Sequence, residues 1–193
     1  MTKTLLLLAN GFEAVEASVF TDVFGWNQLE GDGTTELITV GLHPQLKCTW
    51  NFTVTPEFLV SEVNLDDFDA LVIPGGFEEA GFYSDAFDAR FSKIIRHFND
   101  NNKLIATICV ASLALGNSGI LKGRKATTYN HPTSIRRRQL ANFGANLVDA
   151  PIVVDNNIIT SSNPGTAFEV AFLALERLTS KENCHKVREL MGF

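Results

Sequence analysis

The sequence predicts a layered α/β fold with a mostly parallel central sheet. Short apolar runs alternate with longer segments of helical periodicity along the whole chain. Four turns, Asn10-Gly11-Phe12-Glu13, Pro74-Gly75-Gly76-Phe77, Cys109-Val110 and Tyr129-Asn130-His131-Pro132, fall at the strand ends. In an open parallel sheet ligands bind outside the carboxyl ends of the strands, so these turns are expected to converge on one crevice.

Thr4–Ala9 is a first buried strand, and the helix Glu13–Leu29 follows it. The start Met1-Thr2-Lys3-Thr4-Leu5-Leu6-Leu7-Leu8 has too short an apolar stretch for a signal peptide, and no small-residue cleavage site follows. Thr35–Gly41 and Ala70–Ile73 are the next strands, with a helix at Ala86–Asn99. Leu104–Ile108 is an apolar strand leading into the helix Val110–Ser118, which Asn117 to Gly119 terminates. Lys125–Thr128 is a strand and Pro132–Phe143 a helix. Ile152–Val154 and Ile158–Thr160 flank Asp155-Asn156-Asn157, a good hairpin turn. Gly165–Leu178 carries an apolar face with Glu169 and Glu176 off it, and Lys181–Met191 is a last helix. With no repeat, linker or low-complexity segment, residues 1–193 read as a single domain.

Composition narrows the function. Hydrophobic content of 45% and charged content of 20% fit an ordered globular chain. A net charge of -6 argues against nucleic-acid or anionic-membrane binding. No apolar run is long enough to span a bilayer. Three scattered cysteines, Cys48, Cys109 and Cys184, make neither a disulfide framework nor a zinc site, and a reducing, cytoplasmic location fits them best. No phosphate-binding glycine loop or metal-ligand cluster is present, so neither cofactor nor metal is expected.

The chemistry centres on Cys109. A cysteine between a buried strand and a helix sits on a sharp turn that projects its side chain at free amides of the helix start. Those amides and the helix dipole favour the thiolate, the nucleophilic form. The bland alternative is a small buried apolar residue. Gly75-Gly76 after a strand leaves uncovered amides, as an oxyanion site requires, although such a pair is often only a turn. Glu13 and Glu16 share one face of the first helix, so at least one can lean over the strand end. There a half-buried carboxyl would donate to sulfur and pass protons. His131 is the only histidine in a strand-end loop and a candidate acid or base, whereas Arg136-Arg137-Arg138 reads as a solvated face.

Together these residues resemble the ThiJ/PfpI superfamily, also called the DJ-1 family. The resemblance runs through Ala9-Asn10-Gly11-Phe12-Glu13-Ala14-Val15-Glu16, Asp69-Ala70-Leu71-Val72-Ile73-Pro74-Gly75-Gly76 and Ile105-Ala106-Thr107-Ile108-Cys109. It closes with Ile159-Thr160-Ser161-Ser162-Asn163-Pro164-Gly165-Thr166-Ala167-Phe168-Glu169. It implies a flavodoxin-like three-layer sandwich with a nucleophile elbow, and a homodimer. It also implies Cys109 as the reactive cysteine, Glu16 as its carboxylic acid, and the amides of Gly75, Gly76 and Val110 around the oxyanion. Members are described as cofactor-free glyoxalases, as deglycases and as oxidative-stress responders, so the expected ligand is a small carbonyl compound.

Three departures bear on this. The protease-like branch has histidine directly after the nucleophile, where this chain has Val110, which weakens a peptidase reading. Tyr129-Asn130 stand between Thr127-Thr128 and His131-Pro132, a loop longer than the branch pattern. Trp50 stands where human-type members have an arginine near the dimer contact.

Overall fold

The computed structural model describes residues 1–193. The central sheet has seven strands in the order β10-β11-β7-β6-β1-β2-β5. Within it β1 (Thr2–Leu8) is flanked by β2 (Thr35–Gly41) and β6 (Ala70–Ile73). Beyond β6 lie β7 (Leu104–Thr107) and β11 (Ile158–Ser161), and every one of these pairings is parallel. Only the edge strand β10 (Ile152–Asp155) is antiparallel, through the expected hairpin. The two-residue β5 (Phe58–Leu59) ends the other side.

Strands β6, β7 and β11 are buried at every residue, which requires cover on both faces. Helices α1 (Ala14–Glu30), α6 (Ala167–Leu178) and α7 (Lys181–Met191) pack together as one layer. The other layer is α3 (Ala89–Asp100), α4 (Ser112–Asn117) and α5 (Arg136–Asn142). The fold is a flavodoxin-like three-layer sandwich.

One topological detail positions the site. From β1 the chain moves outward through β2 to β5, then returns to the other side of β1 and runs outward through β6, β7 and β11. The strand order therefore reverses between β1 and β6, and the crossovers leave a crevice above their carboxyl ends.

Several elements differ from the sequence expectation. The hairpin of β3 (Leu46–Lys47) and β4 (Thr53–Val54), like β5, is too short to show a period. The expected strand Lys125–Thr128 is only Lys125–Ala126 (β8), pairing with β9 (Asn146–Leu147) outside the main sheet. Beyond it, the Thr127 N–H donates to Thr160 Oγ1 (3.0 Å) and Thr128 Oγ1 donates to the Cys109 carbonyl (3.2 Å). The expected helix Ala86–Asn99 divides into α2 (Phe82–Ala86) and α3, because the Asp88 carboxylate caps the second by accepting from the Arg90 N–H. Helix α5 starts at Arg136 rather than Pro132, since residues 131–134 form a turn closed by Ser134 N–H to the His131 carbonyl (2.8 Å). The helix after Cys109 opens with a 3₁₀ turn, Cys109–Ala111.

Candidate active site

Three loops meet at the β1/β6 reversal. After β1, Phe12 bridges to Gly76, and the Glu13 N–H donates to the Gly75 carbonyl (2.8 Å). This clamps the start of α1 to the turn after β6. One turn into α1, Glu16 points inward and is fully buried. The Gly75 N–H donates to its Oε2 at 2.6 Å. A Cβ on Gly75 would lie 2.9 Å from that oxygen and 3.0 and 3.1 Å from the Ile108 carbonyl and the Val110 nitrogen. Only glycine lets the Glu16 carboxyl and the Cys109 turn come this close.

Cys109 has φ of 54°, a left-handed conformation that a side chain other than glycine adopts at a cost of about 1 kcal/mol or more. The surroundings hold it there. Its carbonyl accepts from Ser112 Oγ and Thr128 Oγ1, both at 3.2 Å. The Ala111 N–H donates to the Ile108 carbonyl (3.0 Å). A strained residue fixed by its neighbours at a strand-to-helix turn has the backbone geometry of a nucleophile elbow.

The electrostatics are those of a coupled acid and thiol. Burial raises the Glu16 pKa to about 8, the Glu13 carboxylate adds to the rise, and the Gly75 N–H opposes it. Glu16 Oε1 is buried without a hydrogen-bond partner. Burial also pushes the Cys109 thiol well above its usual range, with negative charge on Glu16 adding, while the Val110 N–H pulls it down. The amide contribution expected from the sequence is present, but burial outweighs it. Each group acts on the protonation of the other, without the alignment of a well-formed hydrogen bond.

Above the thiol is a cavity of about 310 Å³, lined by Glu13, Gly76, Phe77, Glu78, Glu79, Cys109, Val110, Tyr129, Ser134, Arg136 and Pro164. It suits a small molecule reaching one sulfur atom. No group of three or more His, Cys, Asp or Glu is placed to hold a metal ion.

The DJ-1/PfpI family model matches residues 2–177. The chain belongs to the DJ-1/PfpI family. It is 33% identical over 191 residues to protein DJ-1alpha of Drosophila melanogaster, covering 97% of this chain and 82% of that one. The solved structure of Drosophila melanogaster DJ-1beta superposes with a TM-score of 0.86 at 29% identity, over 98% of this chain and 97% of the other. Schizosaccharomyces pombe DJ-1 gives 0.84 at 25% identity, over 100% of both chains.

Within this family fold, the structure brings together Cys109, Glu16, Gly75, Gly76 and Val110. It does not bring His131 to them. That side chain is exposed, bonded to Thr133 Oγ1 (2.9 Å), and outside the cavity lining. Tyr129 lies at the cavity instead, with the His131 ring stacked at 6.3 Å from it.

The arginine run also needs correction. Arg137 lies near Asp149 at the surface and Arg138 is exposed, as a solvated face requires. Arg136 turns inward, with 16% of its side chain exposed, and lines the cavity. With the helix expected from Pro132, nothing in the sequence distinguished it from Arg137 and Arg138. Asp85 was not anticipated either. It accepts from the Asn10 N–H (2.8 Å) and bonds His43 Nε2 (2.9 Å), fixing the loop after β1. Cys48 and Cys184 are free thiols buried elsewhere.

Proposed function

We propose that the protein is a cofactor-free, cysteine-dependent enzyme acting on small reactive carbonyls, of the glyoxalase or deglycase type. The observation that carries this reading is a left-handed cysteine at the base of a small cavity, coupled to a buried glutamate whose pKa is raised to about 8. A structural cysteine needs neither the strained turn nor the acid beside it.

With one proton on the pair, the proton rests on the thiol, the weaker acid of the two, and passes to Glu16 as sulfur attacks. Sulfur adds to the aldehyde carbon of a 2-oxoaldehyde, and Glu16 gives its proton to the resulting alkoxide. The hemithioacetal then carries its hydrogen on the former aldehyde carbon. The Glu16 carboxylate removes that proton and returns it to the neighbouring keto carbon, while the hydroxyl proton passes to the former keto oxygen, leaving a 2-hydroxy thioester. Water cleaves the thioester, giving the hydroxy acid and free thiol. The net change is addition of one water to the substrate. The N–H groups of Gly75, Gly76 and Val110 surround the developing oxyanion, although Gly75 also holds Glu16. His131 has no part in this scheme, given its exposed position.

Lactate formation from methylglyoxal by purified protein tests the reading, with Cys109→Ser as the comparison. The wild type is expected to form lactate and the variant none. No lactate from the wild type, or as much from the variant, overturns it.

A second reading is a redox sensor in which Cys109 oxidises to a sulfinic acid held by Glu16 and the nearby amides. In its favour, a relative at 25% identity, Toxoplasma gondii DJ-1, has been solved oxidized. Mass spectrometry after mild peroxide separates the readings, since a sensor requires sulfinic acid at Cys109 and not at Cys48 or Cys184. A cysteine peptidase is the weakest reading, with Val110 in place of the histidine.

For partners we infer a homodimer. Val15, Trp50 and Phe52 are 46, 55 and 67% exposed and line an apolar groove of about 690 Å³ beside α1, a surface suited to a second copy. A monomeric mass by light scattering would refute it. No helix is long and apolar enough to cross a membrane, and a cytoplasmic setting is the one that suits a free, reactive thiol.

A further inference from the structure

Arg136 is the one cation lining the Cys109 cavity, and three contacts hold it still. Its Nη2 donates to Glu78 Oε2 (2.7 Å) and its Nη1 to Gln139 Oε1 (2.9 Å). Its guanidinium lies over the Tyr83 ring, 4.9 Å from the centroid. The contacts come from the loop after β6, from α5 and from α2, so the guanidinium spans the side of the cavity. Two N–H groups are engaged, and the guanidinium has further donors to offer.

The charges around it decide what kind of oxygen it takes. Glu78 already supplies its counter-ion, and Glu13 and Glu79 line the same cavity. The lining therefore has no excess positive charge to reward an anion. A fixed guanidinium in the wall of the cavity that also holds Cys109, itself neutral to acidic, is a hydrogen-bond donor for an uncharged oxygen. The hemithioacetal at Cys109 places such an oxygen one carbon away from the sulfur-bearing carbon.

We propose that Arg136 is the specificity-determining residue that receives the second oxygen of an uncharged vicinal dicarbonyl, or of its 2-hydroxy equivalent, while the first carbonyl carbon sits at Cys109. This rests on the carbonyl-directed function proposed above. Through this contact the enzyme distinguishes 1,2-dicarbonyls from simple aldehydes and from 2-oxo acids. In the proton shift from the aldehyde carbon to the keto carbon, the developing negative charge on the keto oxygen falls on the guanidinium.

The test compares wild type, Arg136→Gln, Arg136→Lys and, as a surface control, Arg137→Gln. Two readouts are used: lactate formation from methylglyoxal, and protection of Cys109 from iodoacetamide by hydroxyacetone, acetone or pyruvate. In R136Q, kcat/KM for methylglyoxal should fall about 10- to 100-fold, as loss of a charge-assisted hydrogen bond in the transition state implies. R136K should fall between R136Q and wild type, and R137Q should match wild type. Unprotected alkylation should stay within about twofold in all four, showing an intact thiol site. Hydroxyacetone should protect wild type better than acetone or pyruvate, and R136Q should lose that preference. Active wild type with equally active R136Q overturns the assignment and leaves the function standing. Pyruvate protecting best overturns the uncharged class. Wild type that makes no lactate overturns the function itself. The Arg136 contact then stands if hydroxyacetone protection is lost in R136Q, and falls if it is not.

Discussion

Two buried polar clusters sit at the two ends of α1, and they are built on opposite principles. Toward the end of the helix, Asn27 is fully buried and donates to Thr35 Oγ1 (2.8 Å) and Asp32 Oδ1 (3.2 Å). Its Oδ1 accepts from Asn183 Nδ2 at 2.6 Å, which ties α1 to α7. At the start of the helix, Glu16 is just as buried, yet Oε1 lacks a partner and the neighbouring Cys109 is strained. The first cluster satisfies its polar groups and holds no ionisable side chain in its centre. The second keeps an acid and a thiol under mutual tension. A satisfied network stabilises a fold, whereas an unsatisfied ionisable pair is retained against stability where chemistry needs it.

The largest effect that sharpens this contrast is at Glu16. Glu16→Gln should reduce lactate formation by about 100-fold or more, because the proton carrier is gone. Removing the negative charge that raises the thiol should meanwhile shift the pH profile of Cys109 alkylation to lower pH. Faster alkylation at neutral pH with lost turnover is the expected signature; a profile shifted upward would show that Glu16 activates the thiol instead.

Stability should respond in the same direction. Glu16 binds a proton in the folded state up to about pH 8, whereas the unfolded chain releases it near 4.5. Its contribution is thus unimpaired below that lower value and falls as pH rises toward 8. At pH 7 the penalty is at most about 3 kcal/mol. Denaturant melts of Glu16→Gln should therefore show a gain that grows from pH 5 to 8, and a pH-independent difference would contradict the raised pKa.

The satisfied cluster should behave in the opposite way. Asn27→Ala removes the bonds to Thr35, Asp32 and one of the two made by the Asn183 amide, and should destabilise by about 2 kcal/mol while leaving kcat near wild type. A large loss of turnover without loss of stability would break the comparison. The smallest expected effect is at the elbow itself. Cys109→Gly should be about 1 kcal/mol more stable than Cys109→Ala, since glycine relieves the positive φ. Equal melting temperatures would mean the turn relaxes freely.

Much of this architecture could be read in the sequence, for a physical reason. Strands such as Ala70–Ile73 and Leu104–Thr107 are continuous apolar runs because both their faces are covered. The turns after them carry the glycines and the cysteine that a switch-point crevice uses. Glu16 was legible through its place on the first helix and the family resemblance. The shorter elements left no pattern, as in the two-residue β3, β4 and β5. The orientation of single side chains was not legible either. Arg136, Arg137 and Arg138 are the same residue three times over, and only the turn at residues 131–134 decides which of them faces inward. The same turn carries His131 away from the thiol.

The Glu16–Gly75 hydrogen bond joins residues 59 positions apart, and neither partner reaches the Cys109 turn until β1, β6 and β7 lie side by side. The site is consequently a late product of folding, assembled only after long loops have closed. No fragment or partly ordered chain can hold it, so the loss of ordinary Cys109 thiol reactivity during refolding reports completion of the sheet rather than formation of local helix. A newly made copy carries Cys109 as an ordinary thiol, and acquires its particular chemistry only when the whole domain has cooperatively formed.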